Sequence, residues 1–334
     1  LDAVELAAVL VTIALVASMV SVELGVTVAL LELTFGVVAG NVFDLQSQDW
    51  LTFVAAFASI VLTFLAGMEV NRAYMRRRLS ASVGIGVVSF VGPFVVASAV
   101  AYLLLDWSGR ASLIAGTALS TTSLAVVYAV LVERALTDTN IGKLLMSATF
   151  VTDLCTAIAL SAIFIKPNVW FPVFLAVSLA LILALPRIAP WFFGRYGDRV
   201  IEPEIKLVFA CLLLFMVLAE LANGHAVLPA FVLGLVMSRH YAEHREEQKR
   251  LRVVAFAFLT PFFFIKGGLN VSLAAVFSNL GLLAVLLAAK MLPKLGFIYP
   301  LARRADRRHG AFTTLLMSTG LTFGTISSLY GLNA

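Results

Sequence analysis

Apolar residues run along this chain in long blocks broken by short polar clusters. About 20 apolar residues suffice for a helix to cross the hydrocarbon core of a bilayer. The blocks predict twelve such spans, near 3–21, 24–41, 50–69, 82–105, 111–132, 141–165, 170–193, 204–222, 226–239, 251–267, 275–300 and 310–332. The expected fold class is therefore all-α and polytopic. The sixth block contains "SATFVTDLCTAIALS", which sets one carboxylate, Asp153, in the middle of an apolar run. An ionised Asp at the centre of a membrane helix costs about 2.5–3.5 kcal/mol on insertion scales, so such a residue is a functional candidate by default.

Positive charge alternates between the loops. Arg72, Arg76, Arg77 and Arg78, then Arg134 and Lys143, then Arg187, Arg195, Arg199 and Lys206 fall on one side of the membrane. Arg239, Arg245, Lys249, Arg250 and Arg252 follow, and then Arg303, Arg304, Arg307 and Arg308; the opposite loops hold only Arg110 and Lys166. Lys and Arg concentrate in cytoplasmic loops. The basic side is thus expected in the cytoplasm of a plasma (inner) membrane, with the amino terminus outside. Three lysines remain within spans: Lys266, Lys290 and Lys294. Lys290 stands mid-span and needs a counter-charge, whereas Lys294 is expected to snorkel toward the basic end. Lys266 and the buried acid Glu32 are candidates for a cavity wall.

Composition agrees with this picture. Of 334 residues 61% are apolar and 13% charged, which no soluble chain of this length would show. The net charge of +5 belongs to the loop asymmetry, and no nucleic acid is expected as partner. Cys155 and Cys211 lie inside apolar segments, so no disulfide framework is expected. Leu1 opens the chain without a signal-peptide n-region, which reads as a trimmed or partial polypeptide. There is no Walker loop, no GxGxxG after a strand and no zinc spacing, so the chain does not read as an enzyme and needs no cofactor. His240 and His244 stand four apart in a charged loop and read as solvated histidines rather than a metal site.

Three pairs of segments are alike about 200 residues apart: "TFLAGMEV" with "FFIKGGLNV", "LTFGVVAG" with "LPAFVLG", and "GTALSTTSLAV" with "STGLTFGTISS". Five spans fill the first unit, and an odd number forces the second into inverted topology, an architecture of secondary transporters with a site at the midplane. The expected organisation is a leading scaffold helix at 1–23, a first inverted repeat at 24–165 with core helices at 82–165, linker and scaffold helices at 166–225, and a second repeat at 226–334. That second repeat holds four spans, so a fifth is expected beyond Ala334. In each unit one helix carries a cluster of small and hydroxyl residues: Ser120, Thr121, Thr122 and Ser123, and then Thr319, Gly320, Leu321 and Thr322. These predict two crossed discontinuous helices, because unwound backbone at membrane depth survives only where it is buried or lines a cavity. The alternative is that the hydroxyls bond back to their own helices. Asp153 is a hard oxygen ligand for a small cation and can take a proton instead. A group that binds one or the other, never both, is the core of an exchanger.

The motifs "LELTFGVVAG", "FLAGMEV", "GTALSTTSLAVV", "FVTDLCTAIAL", "LPAFVLGLVMS", "PFFFIKGGL" and "LLMSTGLTFG", in this order, resemble the membrane domain of monovalent cation/proton antiporters of the Kef type. The resemblance implies thirteen helices, a homodimer built on a scaffold, and a mobile core of spans four to six and eleven to twelve that moves like an elevator. It also implies exchange of Na+ or K+ for protons, with monovalent cation at Asp153 of the pair Thr152-Asp153. Relatives with two acids pair the first with a lysine matching Lys290; here that first position is the neutral Thr152. Many carry Glu where Thr322 stands, so this chain has two fewer charges. The competing expectation is a sodium-coupled organic-anion symporter of related fold.

Overall fold

The computed structural model describes residues 2–69, 78–164, 168–197 and 199–320. Among these the secondary structure is helical throughout, as lipid demands, because a helix satisfies its backbone polar groups within itself. In chain order the helices are α1 (Ala3–Leu24), α2 (Val28–Val42), α3 (Asp49–Glu69), α4 (Leu79–Leu103), α5 (Gly109–Ser120), α6 (Leu124–Glu133) and α7 (Asn140–Phe164). They continue with α8 (Trp170–Tyr196), α9 (Pro203–Leu221), α10 (Val227–Glu243), α11 (Arg245–Leu269), α12 (Leu273–Ser278), α13 (Leu280–Ala305) and α14 (Gly310–Leu316). Six of them, α1, α3, α4, α8, α11 and α13, are long and apolar enough to cross a membrane.

Local chemistry sets the ends. Asp2 and Glu5 form a reciprocal capping box at the start of α1, and Gly25 ends that helix in the left-handed region at φ 63°. The eleventh predicted span begins earlier, as the separate short helix α12. Asn279 interrupts it, and its side-chain amide donates to the Ala275 carbonyl at 3.0 Å, competing with helix propagation. Two helices widen into a π turn, at Ala255–Leu259 in α11 and at Lys294–Ile298 in α13. Each widening is followed by Thr260-Pro261 or Tyr299-Pro300. Proline lacks an N–H and its ring collides with the carbonyl four residues back, and one extra residue in the turn relieves both problems.

The chain forms two compact units. The first comprises 1–62, 189–213 and 240–280. Leu6 and Leu10 of α1, Leu51 of α3, and Phe262 and Ile265 of α11 make its core, with Trp50 edge-on to Phe262 at 5.9 Å. Here α2 and α11 meet backbone to backbone: a Cβ placed on Gly268 would lie 2.7 Å from Val37 N and 2.8 Å from Gly36 Cα. The small-residue spacing at Gly36 and Gly40 thus serves helix packing. The second unit comprises 63–188, 214–239 and 281–334 and contains α4 to α7, α13 and α14. In it α4 packs on α5 and on α7. Gly86 lets α4 approach so closely that a Cβ there would lie 2.8 Å from Val151 Cγ1.

Gly268→Ala is expected to destabilise the purified protein by about 1–3 kcal/mol, the usual range for overpacking. Gly194, in α8, has open space where a Cβ would go, so Gly194→Ala should leave stability unchanged or raise it by up to about 1 kcal/mol. Thermal melts of both variants in detergent check the contrast.

Candidate functional site

The hydroxyl cluster in the first half of the chain lies where a helix stops and restarts. α5 ends at Ser120, Thr121 takes an extended conformation (φ −60°, ψ 154°), and α6 begins at Leu124 with Ser123 as its cap. Ser120 and Thr121 bond back to the Thr117 and Ala118 carbonyls at 2.9 and 3.0 Å. Thr122 does something else: its hydroxyl donates across to the Met317 carbonyl at 2.8 Å. Met317 follows the last residue of α14, and the Ser123 N–H donates to the Thr319 carbonyl at 3.2 Å. Helix breaks far apart in sequence therefore meet through direct hydrogen bonds. Leu321 and Thr322 lie outside the described residues.

The last carbonyls of a helix have no intrahelical partner and carry the negative end of its dipole. At this meeting point the carbonyl of Thr121, beyond α5, and that of Met317, beyond α14, turn toward one side chain. Lys294 Nζ donates to Thr121 O at 3.1 Å, to Thr122 Oγ1 at 3.1 Å and to Met317 O at 2.5 Å. An ammonium has three donors and no acceptor, and the three contacts match that number. Hydrogen bonds to a charged group contribute about 1.5–3 kcal/mol each. Three of them are on the scale of the several kcal/mol that burying an ion costs. Lys294 is 0% exposed, so the expectation that it snorkels to the basic surface is corrected. The attraction of two helix C-termini outweighs that of water. Lys290, one turn earlier, also reaches this region: a Cβ on Gly320 would lie 2.7 Å from Lys290 Nζ and 3.0 Å from Thr121 O.

Asp153 lies on α7 and is 6% exposed. Its Oδ1 is buried and has no hydrogen-bond partner among the described residues. Around the carboxylate is a small cavity of about 10 Å³, walled by Thr63, Leu124, Phe150, Leu154, Val227 and Phe231. That is about the volume that accommodates a single water. Phe150 and Phe231 stack at 4.0 Å and close one wall. Leu124, the first residue of α6, shares the cavity with Asp153, so the carboxylate faces the positive end of that helix. Asp153 and Lys294 attract each other electrostatically, although the lysine's donors go to the helix ends.

Other predicted residues have different placements. The Thr152 hydroxyl donates to the Gly86 and Ala148 carbonyls at 3.0 and 3.1 Å, so it fastens α7 to α4 instead of turning to the Asp153 cavity. Neighbouring residues on a helix point about 100° apart, and that divides the pair. Glu32, 2% exposed, and the half-buried Lys266 belong to the first unit, whereas Asp153, Lys290, Lys294 and the helix breaks belong to the second.

The sequence from residue 9 to 334 matches the family described as sodium/hydrogen exchanger, transmembrane. The chain belongs to this family. It is 28% identical over 269 residues to the probable Na(+)/H(+) antiporter 3 of Methanocaldococcus jannaschii, covering 76% of this chain and 68% of that protein. It is 24% identical to the putative Na(+)/H(+) antiporter YjbQ of Bacillus subtilis, covering 91% of this chain and 53% of the relative. The fold resembles that of the sodium proton antiporter MjNhaP1 from Methanocaldococcus jannaschii, with TM-score 0.71 and 12% identity, over 95% of this chain and 83% of that one. At that identity the likeness speaks for the fold, which is helical among the described residues; membership of the transmembrane exchanger family makes the chain a multi-pass membrane protein.

Sequence reasoning missed Lys294 by treating distance to the membrane surface as decisive. The signal was present in "AAKMLPKLG", where Lys290 and Lys294 stand four apart on one helix face beside Pro293. Lys294→Met removes a buried donor from three oxygens and should cost about 1–3 kcal/mol for each acceptor left without one. Lys290→Met should cost less, since Lys290 is only partly buried. Melting curves of the two variants side by side check the ranking; an equal loss would contradict it.

Proposed function

We propose that this protein is a secondary active transporter that exchanges a monovalent cation, Na+ or K+, for protons across the membrane. The observation that carries the reading is the buried, unpartnered Oδ1 of Asp153 in a water-sized cavity next to a helix restart. A buried carboxylate oxygen without a donor has an energetic demand that a bound proton, cation or ordered water can meet. Membership of the exchanger family and the names of the similar archaeal and bacterial antiporters support the same conclusion.

In this mechanism Asp153 holds either a proton or a cation, and the loaded carboxylate is exposed to one side of the membrane at a time. The protein moves in an elevator-like manner, with the meeting helix breaks in the moving part. Ser120, Thr121, Thr122, Ser123, Thr319 and Gly320 line the region of unwound backbone, and Lys290 with Lys294 supplies its positive charge. Thr152 acts through helix packing and keeps α7 seated while Asp153 changes its load.

The same proposal includes inverted repeats at 24–165 and 226–334, twelve spans here of thirteen, and a homodimer in a plasma membrane with basic loops cytoplasmic. The chain spans 68% and 53% of the length of the two curated relatives named above.

Asp153→Asn keeps the shape of the side chain and removes its titration. In proteoliposomes this variant should lose cation-driven proton movement by at least an order of magnitude while melting near wild type. Retained exchange would remove Asp153 from the mechanism. With a single titrating carboxylate the cycle trades one charge for one charge. The exchange rate should therefore be the same with and without an imposed membrane potential, as read by a pH-sensitive dye; a rate that follows potential would assign a second proton to a lysine.

A further inference from the structure

Three side chains with ligating atoms converge where α10 passes into α11. His240 is in the last turn of α10, His244 precedes the first residue of α11, and Glu247 is in its first turn. The His244 N–H donates to the His240 carbonyl at 3.0 Å, and His244 itself leaves the helical region at φ −120°, ψ 66° as the chain turns into α11. This turn at His244 brings the Glu247 side chain back beside His240. One ring nitrogen from each histidine and one oxygen of Glu247 lie within 4.8 Å of one another. His240 Nε2 is 3.1 Å from Glu247 Oε2, and the two imidazoles stack with centroids 4.3 Å apart.

Two further features distinguish this cluster from histidines in a solvated loop. His244 Nδ1 lies 3.0 Å from the His240 carbonyl oxygen, a contact that requires the proton on Nδ1 and leaves Nε2 with a free lone pair. Metal-binding histidines are held in this way, with the second ring nitrogen donating to a carbonyl or carboxylate. His240 is fixed as well: its ring meets that of Phe193 edge-on at 4.9 Å and that of Tyr241 at 5.5 Å. Its side chain is 11% exposed and that of Glu247 13%, while His244 is open to solvent and gives a path of entry. Arg250, one turn beyond Glu247, is already paired with Glu202 at 3.1 Å and Glu204 at 3.7 Å, which reduces its repulsion of a cation.

We propose that His240, His244 and Glu247 bind a divalent transition-metal ion of the Zn2+ class, outside the transport site. Two imidazole nitrogens with one carboxylate oxygen suit such an ion, whereas Ca2+ and Mg2+ take all-oxygen shells. A tetrahedral ion with bonds of about 2.0–2.1 Å sets its ligand atoms about 3.3 Å apart, close to the separation of His240 Nε2 and Glu247 Oε2. Water completes the coordination. The ion displaces the His240–Glu247 hydrogen bond and ties the end of α10 to the first turns of α11.

Calorimetric titration of Zn2+ into chelator-stripped protein in detergent, free of any histidine tag, tests this. The expected result is one saturable ion per chain. The affinity should weaken about tenfold or more in His244→Ala and in Glu247→Gln. It should be unchanged in His309→Ala, which alters a separate His–Asp pair, His309 Nδ1 to Asp306 Oδ2 at 2.9 Å. His244 is exposed, so its replacement leaves the fold intact, and a parallel melt verifies this. Absence of saturable Zn2+ binding, or equal affinity in His244→Ala and wild type, would overturn the proposal.

Discussion

Helices that stop inside a membrane leave carbonyls pointing where water is absent, and every other feature of the second unit depends on how those carbonyls are satisfied. The Lys294 ammonium does this at the carbonyls of Thr121 and Met317 together. Neither chain break would be stable alone, because an unpaired polar group in hydrocarbon costs several kcal/mol. Joined by one cation, and by the crossing bonds from Thr122 and Ser123, they form a local structure in which unwound backbone persists at depth. The π turn of this helix begins at Lys294 itself, directly after Pro293.

Charges in this unit follow the helix dipoles. The ammonium is at two C-termini, which are negative, and the carboxylate of Asp153 shares its cavity with the first residue of α6, at a positive N-terminus. Because Lys294 already spends its donors on the helix ends, it neutralises the region without closing over Asp153. The carboxylate is left with an open oxygen and room for a small guest. A direct salt bridge would have consumed both groups. In the proposed exchange, this separation of roles leaves the Asp153 carboxylate free to take a proton or a cation.

Much of this was legible in the chain. Among the described residues most helix ends follow the apolar blocks to within a few residues, because length and hydropathy are direct physical demands of a bilayer; the far end of the twelfth block lies outside the described residues. The break at Ser120–Ser123 was visible as a hydroxyl cluster interrupting an apolar run, and Asp153 as a charge without local compensation. What could not be read was direction. Thr152 and Asp153 are adjacent in sequence, yet the turn of the helix sends one hydroxyl to the carbonyl of Gly86 and the other side chain into a cavity. Lys294 was misread because its partners, Thr121 and Met317, are 173 and 23 residues away and offer only main-chain oxygens, which leave no mark on composition. His240 and His244 read as solvated because the loop is charged, and His244 is open to solvent; the aromatic packing of Phe193 on His240 comes from a different helix.

The central claim is that one carboxylate takes either a proton or a metal ion, and never both at once. The most direct measurement is proton release from the detergent-solubilised protein in weak buffer when Na+ or K+ is added, without any membrane or gradient. The account predicts acidification that saturates with the cation, with a proton released for each cation bound, and none from protein in which Asp153 is Asn. Cation binding without proton release, or equal release from the Asn variant, would contradict it.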